Sequence, residues 1–260
     1  MKASQIMHPN DAKALQVLKQ ARGLNTLMKY FMEKGEERLF RGENLGTMIR
    51  VTEENVPNVY RAFQEVIERV GIDEPELYIY NDPVMNAYTY GDTHIFIALS
   101  SSLVERLSLP ELKAIIAHEC GHILCRHTLY KTLLRTIEEM GTAARFITES
   151  LAFPAYCALM YWSRMSEFSA DRCAAAVVGE RVFQSALLKL SCGLSTIEGD
   201  PYQLVKQAKL YNDMKKSSFF DRIQQTCREL FYTHPQNCQR AYEVDRWKTS
   251  ANYRKLTQDL

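Results

Sequence analysis

The sequence predicts an α+β fold, mainly helical, with a small β-sheet. Three observations lead there. Apolar residues recur at helical spacing along most of the chain, most clearly at Val56, Val59, Tyr60, Phe63, Val66, Ile67 and Val70. A short stretch between residues 77 and 99 instead carries strand-like residues broken by turn residues. After the strand-like stretch comes His118-Glu119-Cys120-Gly121-His122, inside a long apolar-periodic segment.

Taken in order, Asn10 is read as the cap of a helix whose face carries Ala14, Leu15, Leu18 and Ala21, stopped by Gly23. A short helix from Asn25 to Gly35 is expected next. Residues 36–50 are charged and glycine-spaced, which reads as a loop with a short strand near Met48 to Val51. The amphipathic helix of residues 56–70 is closed by Gly71. Leu77 to Tyr80 reads as a strand and Asn81-Asp82-Pro83 as a turn. Ala87–Tyr90 and His94–Leu99 flank Gly91-Asp92 as a hairpin. Ser108-Leu109-Pro110-Glu111 is a capping-box start with proline in the first turn, and Leu112, Ile115, Ile116, Ile123 and Leu124 carry that helix on. Helices are expected through Asp171 to Gly179, over 181–193, from Asp200-Pro201 to about Lys216, and on to about Phe231. Residues 1–72 read as a helical N-terminal extension packed on a core formed by 73–260, and nothing in the first 70 residues carries obvious chemistry.

Composition narrows the classes. The chain has 260 residues, 46% hydrophobic and 24% charged, enough for a sizeable core. A formal net charge of +1 leaves no nucleic-acid footprint. Seven cysteines, an odd number without paired CxxC spacing, read as scattered thiols in a reducing compartment, so a cytoplasmic location is expected. Lys2, His8, Asp11, Lys13 and Lys19 interrupt any signal-peptide core. The most apolar run, Leu151 to Trp162, contains Pro154 and is shorter than the roughly 20 residues of a spanning helix. It reads as a buried helix, with peripheral membrane contact left open through Tyr156, Tyr161 and Trp162.

The chemistry sits in His118-Glu119-x-x-His122. On a helix, i and i+4 lie on one face, so both imidazoles can address one metal ion. Glu119 lies about 100° round the helix, close enough to serve an attacking water. That is the arrangement of a zinc hydrolase. A catalytic zinc needs a third protein ligand, and Ser166-Glu167-Phe168-Ser169-Ala170-Asp171 repeats the i, i+4 spacing with carboxylates. Glu167 is assigned as third ligand. Asp171, one turn on, is assigned to the free nitrogen of His118 or His122, fixing its tautomer. Among the other histidines, His94 reads as surface or structural. His127 falls off the ligand face and reads as solvated. His8 precedes a helix cap.

His118-Glu119-x-x-His122, then Glu167-x-x-Ala170-Asp171, then Thr233-His234-Pro235 with Arg240, in that order, resemble the HtpX-like zinc metallopeptidases. That family is related to the type I CAAX prenyl proteases. Asn86-Ala87 with Gly91 resembles the family's strand motif, and the likeness spans roughly residues 75 to 245. The resemblance implies a gluzincin-type domain with a small sheet above the active-site helix and one Zn²⁺ per chain. It places Asn86 and Ala87 on a substrate-binding strand, where an extended peptide can pair by its backbone. It places His234, with Arg240 beyond it, at the zinc, as oxyanion stabiliser or as occupant of the open position at rest. Most members carry transmembrane helices or a signal peptide, and neither is read here. The expected activity is metalloendopeptidase action on unfolded or extended polypeptides, with Glu119 as general base and then acid. Two rivals remain, a latent or chaperone-like binding module keeping the fold, and a helical scaffold with a chance motif. The presence of Glu119 disfavours the first. Oligomeric state is open.

Overall fold

The computed structural model describes residues 1–24, 28, 36–139, 153–197, 199–217, 232 and 234–258. Its helices are α1 (Ala3–Ile6), α2 (Pro9–Gln20), α3 (Glu36–Thr47), α4 (Pro57–Val70), α5 (Ser101–Arg106), α6 (Leu109–Leu124), α7 (Thr128–Glu139), α8 (Phe153–Val178), α9 (Glu180–Cys192), α10 (Gln203–Ser217), α11 (Asn237–Trp247) and α12 (Ala251–Leu256). The strands are β1 (Ile49–Arg50), β2 (Glu76–Tyr80), β3 (Ala87–Tyr90) and β4 (Phe96–Ser100). The mainly helical α+β architecture is as the sequence predicts. Thr233, most of the Asn25–Gly35 helix and the helix running to Phe231 lie outside the described residues.

The strands form one sheet in the order β1-β2-β4-β3. β2 and β4 run parallel, Leu77 opposite Ile97, while β3 pairs antiparallel with β4, Thr89 opposite Ile97. Among the described residues β3 therefore has one ladder only, and its other edge is open. The β3–β4 turn needs glycine: Gly91 has φ +102°, and a Cβ there would lie 2.1 Å from the His94 carbonyl oxygen. Its N–H donates to Thr132 Oγ1 at 2.9 Å, tying the hairpin to α7.

The core centres on α6 and α8. The capping box forms, with Ser108 N–H donating to Glu111 Oε2 at 2.8 Å. Ile116, Ala117 and Cys120 of α6 are buried against Cys173 to Val177 of α8 and Val66, Ile67 and Val70 of α4. The two long helices approach closely because residue 121 has no side chain. A Cβ at Gly121 would stand 2.7 Å from Cys173 Cβ and 2.9 Å from Ala170 Cα. A second cluster joins Ala14 and Leu18 of α2 to Leu133, Leu134 and Ile137 of α7 and Leu159 and Trp162 of α8.

Three readings are corrected. Residues 36–47 form α3 rather than a loop; its glycines, Gly42 and Gly46, cost about 1 kcal/mol each against alanine but meet open space. The apolar run after Leu151 and the Glu167 segment are one helix, since Pro154 sits in the first turn where its missing N–H is harmless. His8, not Asn10, caps α2, its Nδ1 accepting the Asn10 N–H at 3.1 Å. Within α8, Ala155, Leu159, Met160 and Trp162 are buried, while Phe153 and Tyr161 are exposed. No described helix is long and apolar enough to cross a membrane.

Candidate active site

His118, Glu119 and His122 project from the middle of α6, and Glu167 faces them from α8 across the Gly121 contact. His118 Nε2 lies 3.3 Å from Glu167 Oε2, and His122 Nε2 lies 3.2 Å from Glu167 Oε1. One donor atom from each of the three side chains lies within 4.8 Å of the others, and all three residues are buried. Two imidazole nitrogens and one carboxylate oxygen, converging with their far nitrogens occupied, fit a divalent metal of the zinc type.

Each histidine is held from behind. Asp171 goes to His118, Oδ1 standing 2.9 Å from Nδ1. Asp171 is in turn gripped by Arg240 of α11, whose Nη2 donates to Oδ1 at 2.6 Å and Nε to Oδ2 at 3.0 Å. Arg240 is thus tied to a carboxylate. It also reaches the cleft wall beside His118. His122 is backed by a residue sequence reasoning had placed in solvent. His127 is 1% exposed, and its Nδ1 lies 3.0 Å from His122 Nδ1. Behind it stands Asp11 of α2, fully buried, with Oδ2 3.1 Å from His127 Nε2 but off the ideal hydrogen-bond line. Trp162 Nε1 donates to Asp11 Oδ1 at 3.1 Å and Ser169 Oγ to Oδ2 at 2.5 Å. Burial opposes the Asp11 charge, but His127, Ser169 and Trp162 outweigh it and hold the carboxyl below its usual range.

The charges settle around these contacts. Burial works against a charge on His118, yet Asp171 and Glu167 override it and raise its pKa to about 9. His122 goes the other way, held well below the ordinary imidazole value by burial and by the Lys131 cation. Burial would raise Glu167, but His234, Lys131 and the two histidines keep it well below the carboxylate range. Glu119 has burial as its largest influence and is pushed up, as a proton-shuttling carboxyl requires. Sequence reasoning also passed over Lys131 of α7, whose Nζ lies 2.5 Å from Glu167 Oε1. No motif marks it.

His234 reaches in from the loop before α11, Nδ1 2.7 Å from Glu167 Oε2, with its side chain half exposed. The cleft has two adjoining parts of about 220 and 210 Å³, and Asn86, Ala87, Glu119 and His234 line both. β3 forms its rim. Asn86 is exposed there, its backbone held by Ser100. The sequence-predicted residues Asn86, Ala87, His118, Glu119, His122, Glu167, Asp171, His234 and Arg240 are thus gathered in one place. His94 is exposed.

A convergent His-His-Glu cluster on two crossed helices, with a carboxyl beside it and an open strand above, defines a metallohydrolase centre. The sequence profile of peptidase family M48 matches residues 53–248. The chain belongs to that family and is a metallopeptidase. It is 30% identical to the plastoglobule-localised metallopeptidase 48 of Arabidopsis thaliana, over 98% of this chain and 75% of that one. It is 26% identical to a protease HtpX homologue of Ralstonia nicotianae, over 83% of this chain and 80% of that protein. Among solved structures, Ste24p of S. mikatae aligns with TM-score 0.43 at 22% identity, over 72% of this chain and 49% of that longer one.

Proposed function

We propose that this chain is a zinc metalloendopeptidase acting on unfolded or extended polypeptides, with His118, His122 and Glu167 holding one Zn²⁺. The observation that carries this reading is the pairing of that donor cluster with an open strand edge across one cleft. A peptide added to β3 would be read through backbone hydrogen bonds, with Asn86 and Ala87 at its entry, so an extended segment of almost any sequence can be seated. Zinc at this site would polarise the scissile carbonyl and make water a better nucleophile at neutral pH. Glu119 takes the proton from the attacking water and hands it to the leaving amine, a transfer its raised pKa suits. His234, 2.7 Å from the Glu167 carboxylate, donates to the oxyanion in this reading, and Pro235 stiffens its loop. Arg240 acts through Asp171, keeping the His118 ring turned toward the cluster.

A reducing compartment such as the cytoplasm suits seven cysteines without paired CxxC spacing. Attachment at a lipid surface, as the name of the Arabidopsis relative suggests for that protein, is the alternative, and fractionation with salt washing separates them.

The test is zinc content together with casein-type proteolysis. Wild type carries one zinc per chain and cleaves, and His122→Ala carries none. Glu119→Gln keeps zinc and loses at least about 10²-fold in turnover. His234→Ala keeps zinc and loses a similar factor. Full zinc in His122→Ala would remove the ligand assignment, and an active Glu119→Gln protein would move the base elsewhere. A gain in activity from His234→Ala would make that histidine a plug on a latent site.

A further inference from the structure

α2 reaches the ring that stands behind His122, and the matched family profile begins only at residue 53. Asp11 lies in the first turn of α2, in register with Ala14 and Leu18 on its buried face. A carboxylate at full burial is costly unless its partners are fixed. Two come from α8, the Trp162 Nε1–H and the Ser169 hydroxyl, and the third, His127 in the turn after α6, stands 3.1 Å away and off the hydrogen-bond line. Ser169 is itself held, accepting the His8 N–H at 2.9 Å.

We propose that Asp11, acting through His127, is a positioning residue for His122, fixing the ring so that Nε2 faces the cluster and Nδ1 carries the proton. This rests on the reading of His122 as a metal ligand. Proton placement follows from the partners. A ligating Nε2 carries no hydrogen, so the neutral His122 ring must carry it on Nδ1. Nδ1 then donates to His127 Nδ1 at 3.0 Å, which must be bare. The neutral His127 ring therefore carries its hydrogen on Nε2, the atom 3.1 Å from Asp11 Oδ2. A carboxylate can only accept, so it selects this whole arrangement. With Nε2 of His122 on the metal the chain of contacts has one self-consistent proton order; without metal, Glu167 Oε1 at 3.2 Å from that atom favours the opposite one. Arg126 makes the geometry possible. Its φ of +57° turns the backbone at the end of α6, and His127 N–H then donates to the His122 carbonyl at 2.9 Å, folding the second ring under the first.

Asp11→Asn is the discriminating substitution. It is isosteric and keeps an oxygen for the Trp162 N–H. Its amide N–H₂ then faces His127 and favours the opposite proton order, which leaves hydrogen on His122 Nε2. Zn²⁺ competition against a chelator should show affinity lowered by about 10- to 100-fold. Leu18→Ala serves as the control, since it loosens the packing of α2 without touching Asp11 or His127. It should lower the thermal midpoint and leave Zn²⁺ affinity near wild type. Equal zinc loss in both variants, or unchanged affinity in Asp11→Asn, overturns the proposal. Should Asp11→Asn not fold, ¹⁵N ring spectra of zinc-loaded wild type decide. Hydrogen on His127 Nε2 supports the proposal, and hydrogen on His127 Nδ1 overturns it. Zinc retained in His122→Ala would instead remove the ligand assignment, a distinct failure.

Discussion

The two histidines of the cluster sit one helical turn apart, yet they are supported in opposite ways. His118 leans directly on Asp171, whose charge is balanced by Arg240. His122 leans on a second imidazole, with the carboxylate one residue further back and Lys131 nearby. The first support comes from α8 and α11, within the matched family span, and the second from the turn after α6 and from α2. Identical side chains thus acquire opposite tendencies. The direct carboxylate raises one pKa to about 9, while burial and a cation depress the other well below its ordinary value. What lies behind a ligand, rather than the ligand itself, decides how its ring behaves before metal arrives.

The largest effect should come from removing the direct support. Asp171→Ala leaves Arg240 buried without its partner, a loss of about 3–5 kcal/mol by chemical denaturation. A loss under about 1 kcal/mol would mean the guanidinium finds another acceptor and the two supports are not so different.

The opposite shifts give a pH test on the zinc-free protein. His118 has a folded value above the unfolded one of 6.5, so its stabilisation is complete below pH 6.5 and fades as pH rises to about 9. His122 has a folded value below the unfolded one, so its neutral burial is harmless above pH 6.5 and costs stability as pH falls beneath it. The alkaline loss should be on the order of 3 kcal/mol. Thermal midpoints of EDTA-treated protein should therefore decline on both sides of pH 6.5. A flat profile from pH 6.5 to 9 would show that Asp171 does not charge His118.

Gly121→Ala probes what the two supports share. The added methyl meets Cys173 and the α8 backbone at Ala170, forcing α6 and α8 apart. Overpacking of this kind costs about 1–3 kcal/mol. Zinc affinity should fall with it, because the ligands lie on opposite sides of that contact. Wild-type zinc affinity in a destabilised Gly121→Ala protein would show that the cluster tolerates helix separation.

The direct support was legible in the sequence and the indirect one was not, for a physical reason. His118, His122, Glu167 and Asp171 obey helical spacing, which fixes who shares a face. His127 would lie off that face only if α6 continued, and the left-handed turn at Arg126 stops it. No glycine announces that turn. The available signal was Asp11, a carboxylate aligned with the buried stripe of Ala14 and Leu18. The sheet and β3 could be read from alternation and from Gly91. α3 could not, because its glycines and charges hide a helix with little apolar face.

The anchoring of α2 also bears on how the molecule assembles. Asp11 and Ser169 are 158 positions apart in the chain, and His8 and Ser169 are 161 apart. During synthesis α2 must wait for most of the polypeptide before its partners exist, and contacts of such long range form late and slowly. If His122 is oriented only once α2 docks, a nascent or half-folded chain lacks a competent zinc site. A protease that could cleave its own unfinished segments would then gain its chemistry only after those segments are packed away.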